Sequence, residues 1–187
     1  MVLAGHFKPL GYLMTILNDS PVDPQHEAVS GGLLQPLRDV VSTDDFTPRL
    51  LALISNALVW RESSLLRREF NLGTNDWRVI SALAISPGAT ATYVSDFLIL
   101  NKAVVSKAVT TLIARDLVVS TDGKRGSRHL YLTPAGGEMH DKMMPISLKG
   151  EEIILSDLSS VEILQLNGLL TRLLNKTPDL SAVSDED

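Results

Sequence analysis

The sequence predicts a mainly α-helical fold with a small β-hairpin, arranged as a winged helix-turn-helix, and three observations carry that reading. From Asn101 to Arg115 the chain has helical period. Val105, Ala108, Val109 and Leu112 fall on one stripe, and Ala103, Ser106, Lys107, Thr110 and Ala114 on the opposite one, with Lys102 at the border. The outer face mixes two lysines with small or hydroxyl-bearing residues, so its backbone can approach another surface closely. A shorter apolar-periodic segment, 91–98, precedes this helix across only Ile99 and Leu100, a joint short enough to force a sharp angle. After it, the β-prone runs 117–120 and 129–133 enclose a polar, glycine-bearing tip with Lys124, Arg125 and Arg128, which reads as a hairpin with a basic loop. In such an arrangement the second helix enters the DNA major groove and the hairpin, or wing, reaches the flanking backbone or minor groove.

The remaining elements follow in chain order. In residues 1–45, Gly5, Pro9, Gly11, Pro21, Pro24, Gly31, Gly32 and Pro36 interrupt short apolar pieces, so this stretch reads as an N-terminal extension. It is either loosely packed or an arm that packs on another subunit or lines a ligand site. Phe46 to Phe70 reads as a long helix whose apolar face is Leu50, Leu53, Ile54, Ala57, Leu58, Leu65 and Leu66. Thr74 or Asn75 is placed to cap the next helix, with Trp77, Val79, Ile80 and Leu83 as core candidates and Ser86-Pro87-Gly88 as its stop. Thr90 caps the segment 91–98, where Tyr93, Val94, Phe97 and Leu98 form the expected buried stripe, and Asn101 caps the helix after the turn. Beyond the hairpin, a helix from Pro134 to about Leu155 is expected to kink at Pro145, because proline removes a donor and clashes with the preceding turn. Ser159-Ser160-Val161-Glu162 is a capping-box pattern opening a last helix to about Asn175, with Ile163, Leu166, Leu169, Leu170, Leu173 and Leu174 on its apolar side. That stripe is wide for a terminal helix, and the chain's own first helix and a second copy of the protein are both expected to bury it. Residues 177–187 read as an acidic tail, mobile from Asp179 on.

Composition bounds the chemistry. A chain of 187 residues with 44% apolar content can bury a full core in one or two domains. The absence of cysteine excludes disulfides, thiol redox sensing and Cys-rich zinc sites. No apolar run approaches the roughly 20 residues needed to cross a bilayer, and the N-terminus lacks the pattern of a secretory signal, so a cytoplasmic protein is expected. The net charge of −5 runs against nucleic-acid binding if taken globally. Its distribution reverses the inference. Residues 101–131 hold six cations against two carboxylates, whereas residues 1–45 hold two cations against six carboxylates. A local positive field over one face is what phosphate contact requires.

At three places the sequence resembles the MarR (multiple antibiotic resistance regulator) family. These are Trp77-Arg78-Val79-Ile80-Ser81-Ala82-Leu83, Asn101 to Val109, and Leu130-Tyr131-Leu132-Thr133-Pro134-Ala135-Gly136, in the family's order and spacing across roughly 46–175. Two departures stand out: Ile99 occupies the position of the family's usual turn glycine, and the wing runs one residue longer than the usual acidic-x-Arg pattern. The resemblance implies a homodimeric, ligand-responsive transcriptional repressor acting on double-stranded DNA at a pseudo-palindromic operator. It also implies a helical dimerisation region beside the winged lobe, divided as 46–74 (first dimerisation and pocket helix), 75–134 (winged-helix DNA-binding domain) and 135–176 (C-terminal dimerisation helices). The residues expected to meet DNA are Thr90, Lys102, Ala103, Val104, Ser106, Lys107, Thr110, Lys124, Arg125 and Arg128. A lysine or hydroxyl there donates to guanine or phosphate, and small apolar residues meet a thymine methyl. The family's ligands are often small aromatic molecules, and Trp60, Arg61, Ser64, Arg68 and Trp77 offer aromatic and cationic groups to such an effector.

Other chemistry finds little support. There is no Gly-x-Ser-x-Gly elbow, phosphate-binding loop or dinucleotide fingerprint, so no enzymatic activity and no cofactor are expected. Glu138, His140 and Asp141 share one predicted helix, but adjacent positions 140 and 141 should point apart, which favours a solvated polar face over a metal site. The competing reading is a winged-helix module for protein–protein contact, which has no need of a basic cluster on an acidic chain.

Overall fold

The computed structural model describes residues 32–33, 37–42, 44–123 and 126–182, with the side chains of 181 and 182 left aside. The chain divides into two units, Met1–Phe46 and Thr47–Asp187. The described residues of the first are exposed and form no helix or strand; the rest of the N-terminal extension lies outside the described residues. The second unit runs α1 (Thr47–Phe70), α2 (Thr74–Ile85), α3 (Ala91–Leu98), α4 (Lys102–Ala114), β1 (Val118–Asp122), β2 (Arg128–Leu132), α5 (Pro134–Ile154), α6 (Ser160–Leu174) and a single turn, α7 (Asp179–Ala182). The turn α7 stands where the sequence suggested mobile tail, and Lys176 helps to hold it by pairing with Asp179 at 3.1 Å.

Helix α2 is the centre of the lobe, packing on α1, α3, α4, α5 and β2. Its expected core residues Trp77, Val79, Ile80 and Leu83 are all buried, together with Leu66, Val94, Val105, Ala108, Val109, Leu112, Val118, Leu130 and Met143. Each large apolar side chain removed from water in this way contributes about 1.5–3 kcal/mol relative to an exposed one. The cap of α2 is Gly73 rather than Thr74 or Asn75, because Asp76 at the third helical position turns back to accept the Gly73 N–H at 2.8 Å. Thr74 is thereby drawn inside the helix and buried.

One expectation about a buried face is corrected. In α3 only Val94 of the expected stripe is fully buried; Tyr93 and Phe97 are 48% and 47% exposed and stack on each other with centroids 6.0 Å apart. The second buried residue is Ser95, whose hydroxyl donates to the Leu100 carbonyl at 2.6 Å and so closes the turn. In α1 only Leu66 is buried, while Leu50, Leu53 and Ile54 face solvent, as do Leu169, Leu173 and Leu174 of α6. Helix α5 continues through Pro145, and α6 opens on the expected capping box. There the Ser159 hydroxyl and then its N–H donate to the Glu162 carboxylate at 2.6 and 2.8 Å, holding its pKa below the ordinary value of about 4.5.

The turn between α3 and α4 has one costly residue. Asn71, Ile99 and Asp116 are the non-glycine residues with positive φ among those described. Asn and Asp tolerate the left-handed region, whereas β-branched Ile99, at φ 51° and ψ 46°, pays a steric penalty that a glycine would avoid.

The wing is an antiparallel pair in which Val118 faces Leu132 and Asp122 faces Arg128. It is fastened to the α2–α3 loop. The Gly88 N–H donates to Leu130 O at 2.8 Å, the Leu130 N–H to Ala89 O at 3.0 Å, and His129 Nδ1 to Gly88 O at 2.7 Å. At its base, Thr133 N donates to Leu117 O and Thr133 Oγ1 to Asp116 O, and the same Oγ1 accepts the Gly136 N–H. Gly136 lies against the Leu117 carbonyl so closely that a Cβ would collide with its oxygen.

Candidate nucleic-acid interface

The helix after the turn, α4, has its inner stripe sealed, since Val105, Ala108, Val109 and Leu112 are all buried. The opposite side is open. Lys102, Ala103, Ser106, Lys107 and Thr110 are exposed and Val104 is half-buried. Asn101 caps the helix, its Oδ1 accepting the Ala103 N–H at 2.8 Å. The Thr110 hydroxyl donates to Ser106 O at 2.9 Å, so its proton is held within the helix and its oxygen remains as an acceptor for a neighbour. Thr90 caps α3, accepting from Tyr93 N at 3.2 Å. In the wing, Arg128 is exposed and donates to Ser120 Oγ at 2.7 Å, which lays its side chain along the hairpin; Lys124 and Arg125 lie outside the described residues.

One of the six cations counted over residues 101–131 is engaged elsewhere. Arg115 Nη1 donates to the carbonyls of Phe70 and Asn71 at 2.9 and 3.0 Å. These are the carbonyls of the last residue of α1 and of the left-handed residue that follows it, at the negative pole of that helix, which a guanidinium satisfies directly. Arg115 therefore ties the end of α4 to the end of α1. Sequence reasoning counted its charge but missed its partner, 45 residues away.

A cavity of about 590 Å³ lies between α1, α2 and α5. Of the residues expected at a ligand site, Arg61 and Trp77 line it; Trp60, Ser64 and Arg68 do not. Trp60 is 67% exposed, and Arg68 pairs with Glu69 at 2.9 Å. Helical period accounts for this division: residues 60 and 61 differ by about 100° in direction, and it is Arg61 that meets α5, donating to Ile146 O at 2.9 Å. The wall also includes Glu62, Arg78 and Ser147, and Ser147 donates its hydroxyl to Glu62. The sequence singled out none of these three, because each is an ordinary polar residue on a helix until α1 and α5 meet. Trp77 also packs against the His140 ring, tilted 31° with centroids 5.4 Å apart, and His140 Nδ1 contacts Asp141 Oδ1 at 3.0 Å, so the two side chains expected to point apart are in contact. No cluster of metal-ligating side chains occurs among the described residues, and no described helix is long and apolar enough to cross a membrane.

A MarR family model matches residues 70–129. A search of curated proteins returns no match. Among solved structures, the chain is similar to a MarR/EmrR family transcriptional regulator from Acinetobacter sp. ADP1, at 26% identity and a TM-score of 0.69, over 74% of this chain and 99% of that one. It shares its fold with FabT of Streptococcus pneumoniae, solved in complex with DNA, at 22% identity and TM-score 0.59 over 72% and 96% of the two chains. PcaV of Streptomyces coelicolor, solved in complex with its natural ligand, is similar at 19% identity and TM-score 0.62 over 73% and 97%. The family's sequence pattern thus spans the helix-turn-helix and most of the wing, and over about three quarters of its length the chain is similar in fold to winged-helix regulators of the MarR family.

Proposed function

We propose that the protein is a DNA-binding transcriptional regulator that represses by occupying a pseudo-palindromic operator as a homodimer and is released by a small aromatic molecule. The observation that carries the DNA part is the open side of α4, where Lys102 and Lys107 stand among the small residues Ala103, Ser106 and Thr110, so that apart from the two cations nothing bulky holds a groove at a distance. Lys102, Lys107 and Thr110 meet base edges or phosphates in the major groove, Val104 and Ala103 meet thymine methyls, Thr90 approaches the backbone, and Lys124, Arg125 and Arg128 anchor the wing. The complex of FabT with DNA supports this reading.

Homodimerisation is supported by the exposed leucines of α1 and α6, which a second copy would cover, and by the need to hold two recognition helices about 34 Å apart. The effector reading is supported by the largely apolar cavity with Arg61 in its wall, and by PcaV with its natural ligand. An aromatic acid would lay its ring against Trp77 and offer its carboxylate to Arg61. Such a ligand releases DNA only by binding better to a conformation whose helix spacing no longer fits the operator.

The test is retention on random-sequence duplex DNA, which should fall steeply as salt rises and weaken in Lys107→Ala. Absence of retention at low salt would return the protein to the protein-contact class. For the effector, a panel of aromatic carboxylates is titrated against tryptophan fluorescence and DNA release, with Arg61→Ala as the control; equal release from wild type and variant would remove the cavity from the model.

A further inference from the structure

A second cleft, of about 450 Å³, lies at the foot of the recognition helix, between α1, the first turn of α2 and the α1-facing side of α4. It is separate from the cavity bounded by α5, sharing only Val59 of its wall. From these elements we infer that it is an oxyanion site, taking a phosphate-like or carboxylate group.

Several independent features converge there. The backbone N–H groups in the first turn of α2 have no helical acceptor, and the cap residue, Gly73, has no side-chain oxygen to offer them. Thr74 lines the cleft, is only 6% exposed, and its Oγ1 has no hydrogen-bond partner. A buried hydroxyl without a partner costs stability unless something in the site accepts or donates to it. Arg67 of α1 and Lys107 of α4 bring two cations to the wall, and neither is paired with a carboxylate among the described residues. One carboxylate is present, Asp76, but its Oδ2 is held by the Gly73 N–H at 2.8 Å. Two cations against one carboxylate leave a net positive wall, which suits a single anionic group on a small body.

Lys107 gives the site a consequence. It stands on the exposed side of α4 and also lines the cleft, so an anion held with Arg67 and the α2 N-terminus draws the Lys107 ammonium away from DNA. That consequence rests on the proposed DNA-binding function, whereas anion binding itself does not. The same chemistry has two sources, a free small anion and a phosphate of the DNA backbone entering the cleft when the recognition helix is docked.

The probe is inorganic phosphate, titrated calorimetrically into the full chain with chloride reduced to hold ionic strength constant. Binding that weakens at least about tenfold in both Thr74→Val and Arg67→Gln supports the site, since each removes a partner of a charged group. In the free-anion case, phosphate at constant ionic strength weakens duplex affinity in wild type and loses that effect in Thr74→Val, whose affinity in chloride is unchanged. In the backbone case, free phosphate does not bind, but Arg67→Gln reduces duplex affinity and lowers the log–log salt slope by about 0.9 per subunit. If phosphate does not bind and Arg67→Gln leaves affinity and slope unchanged, the inference is overturned. If phosphate binds but neither substitution weakens it, the anion sits elsewhere and the inference fails equally.

Discussion

Arg115→Ala separates holding the recognition helix from touching DNA. The guanidinium makes two charge-assisted hydrogen bonds, at 2.9 and 3.0 Å, to the carbonyls of Phe70 and Asn71 at the C-terminal end of α1. Hydrogen bonds to charged groups contribute about 1.5–3 kcal/mol each when sheltered, but Arg115 is exposed, and water takes over part of both carbonyls once it is gone. Discounting for that replacement, and including the roughly 0.3–1 kcal/mol that a cation gains at a helix C-terminus, the loss is about 1–2 kcal/mol. Urea unfolding should show it as a shift in midpoint with an unchanged slope. Duplex affinity should fall as well, because α1 and α4 lose a link, but the dependence of log affinity on log salt should stay as steep as in wild type, since no phosphate contact is removed. Arg115→Lys should recover only part of both effects, as one ammonium lacks the planar fork of a guanidinium. A slope reduced by about 0.9 per subunit with unchanged urea midpoint would show that Arg115 neutralises phosphate and does not clamp α1.

Gly136→Ala should destabilise the fold by about 2–3 kcal/mol in urea unfolding, because its methyl collides with the Leu117 carbonyl that already receives the Thr133 N–H; a neutral result would mean that α5 can slide away from β1 at no cost. Ile99→Gly should stabilise by up to about 1 kcal/mol, the left-handed penalty relieved less the added freedom of the unfolded chain, since Ile99 is 66% exposed and loses little burial. A clear fall in midpoint would show that the Ile99 side chain packs usefully. The Glu162 carboxylate, lowered in pKa by Ser159, stabilises the start of α6 above the unfolded value of about 4.5, and that contribution is lost as pH falls through the lower folded value. Glu162→Gln should remove this acid-linked change in the helical signal of α6, and an unaltered pH profile would refute the assignment.

What the sequence disclosed depended on whether a residue's role is local. The inner stripe of α4 was legible because four apolar side chains at helical spacing have one way to be buried, and the Ser159–Glu162 box was legible because both partners lie within one turn. In α3 the same rule misled. Tyr93 and Phe97 are apolar at the right spacing but cover each other on the outside, while Ser95 is buried because the turn needs a donor for Leu100 O. Hydrophobic period carries no information about such a hydrogen bond. Residues whose partners lie far along the chain were misjudged for a related reason: Arg115 read as one more positive charge, and Trp60 read as a pocket wall beside Arg61, where the wall holds Arg61 and Glu62.

These long-range contacts also explain how a helix with so few large residues on its outer side can be held firmly. Small side chains let α4 approach a surface but give it no grip of their own on the rest of the lobe, so its position must be set from within and from its ends. The sealed stripe against α2 and α3 supplies the first constraint, the Ser95 to Leu100 turn fixes the N-terminal end, and Arg115 with the Thr133 bonds at the base of the wing fixes the C-terminal end. The end fastened to α1 is the one through which subunit geometry reaches the recognition helix in the proposed dimer. In the proposed control, an effector that moves α1 against α5 would act on α4 through the Arg115 clamp, and removing that clamp should weaken the coupling between ligand and DNA more than it weakens the binding of the ligand itself.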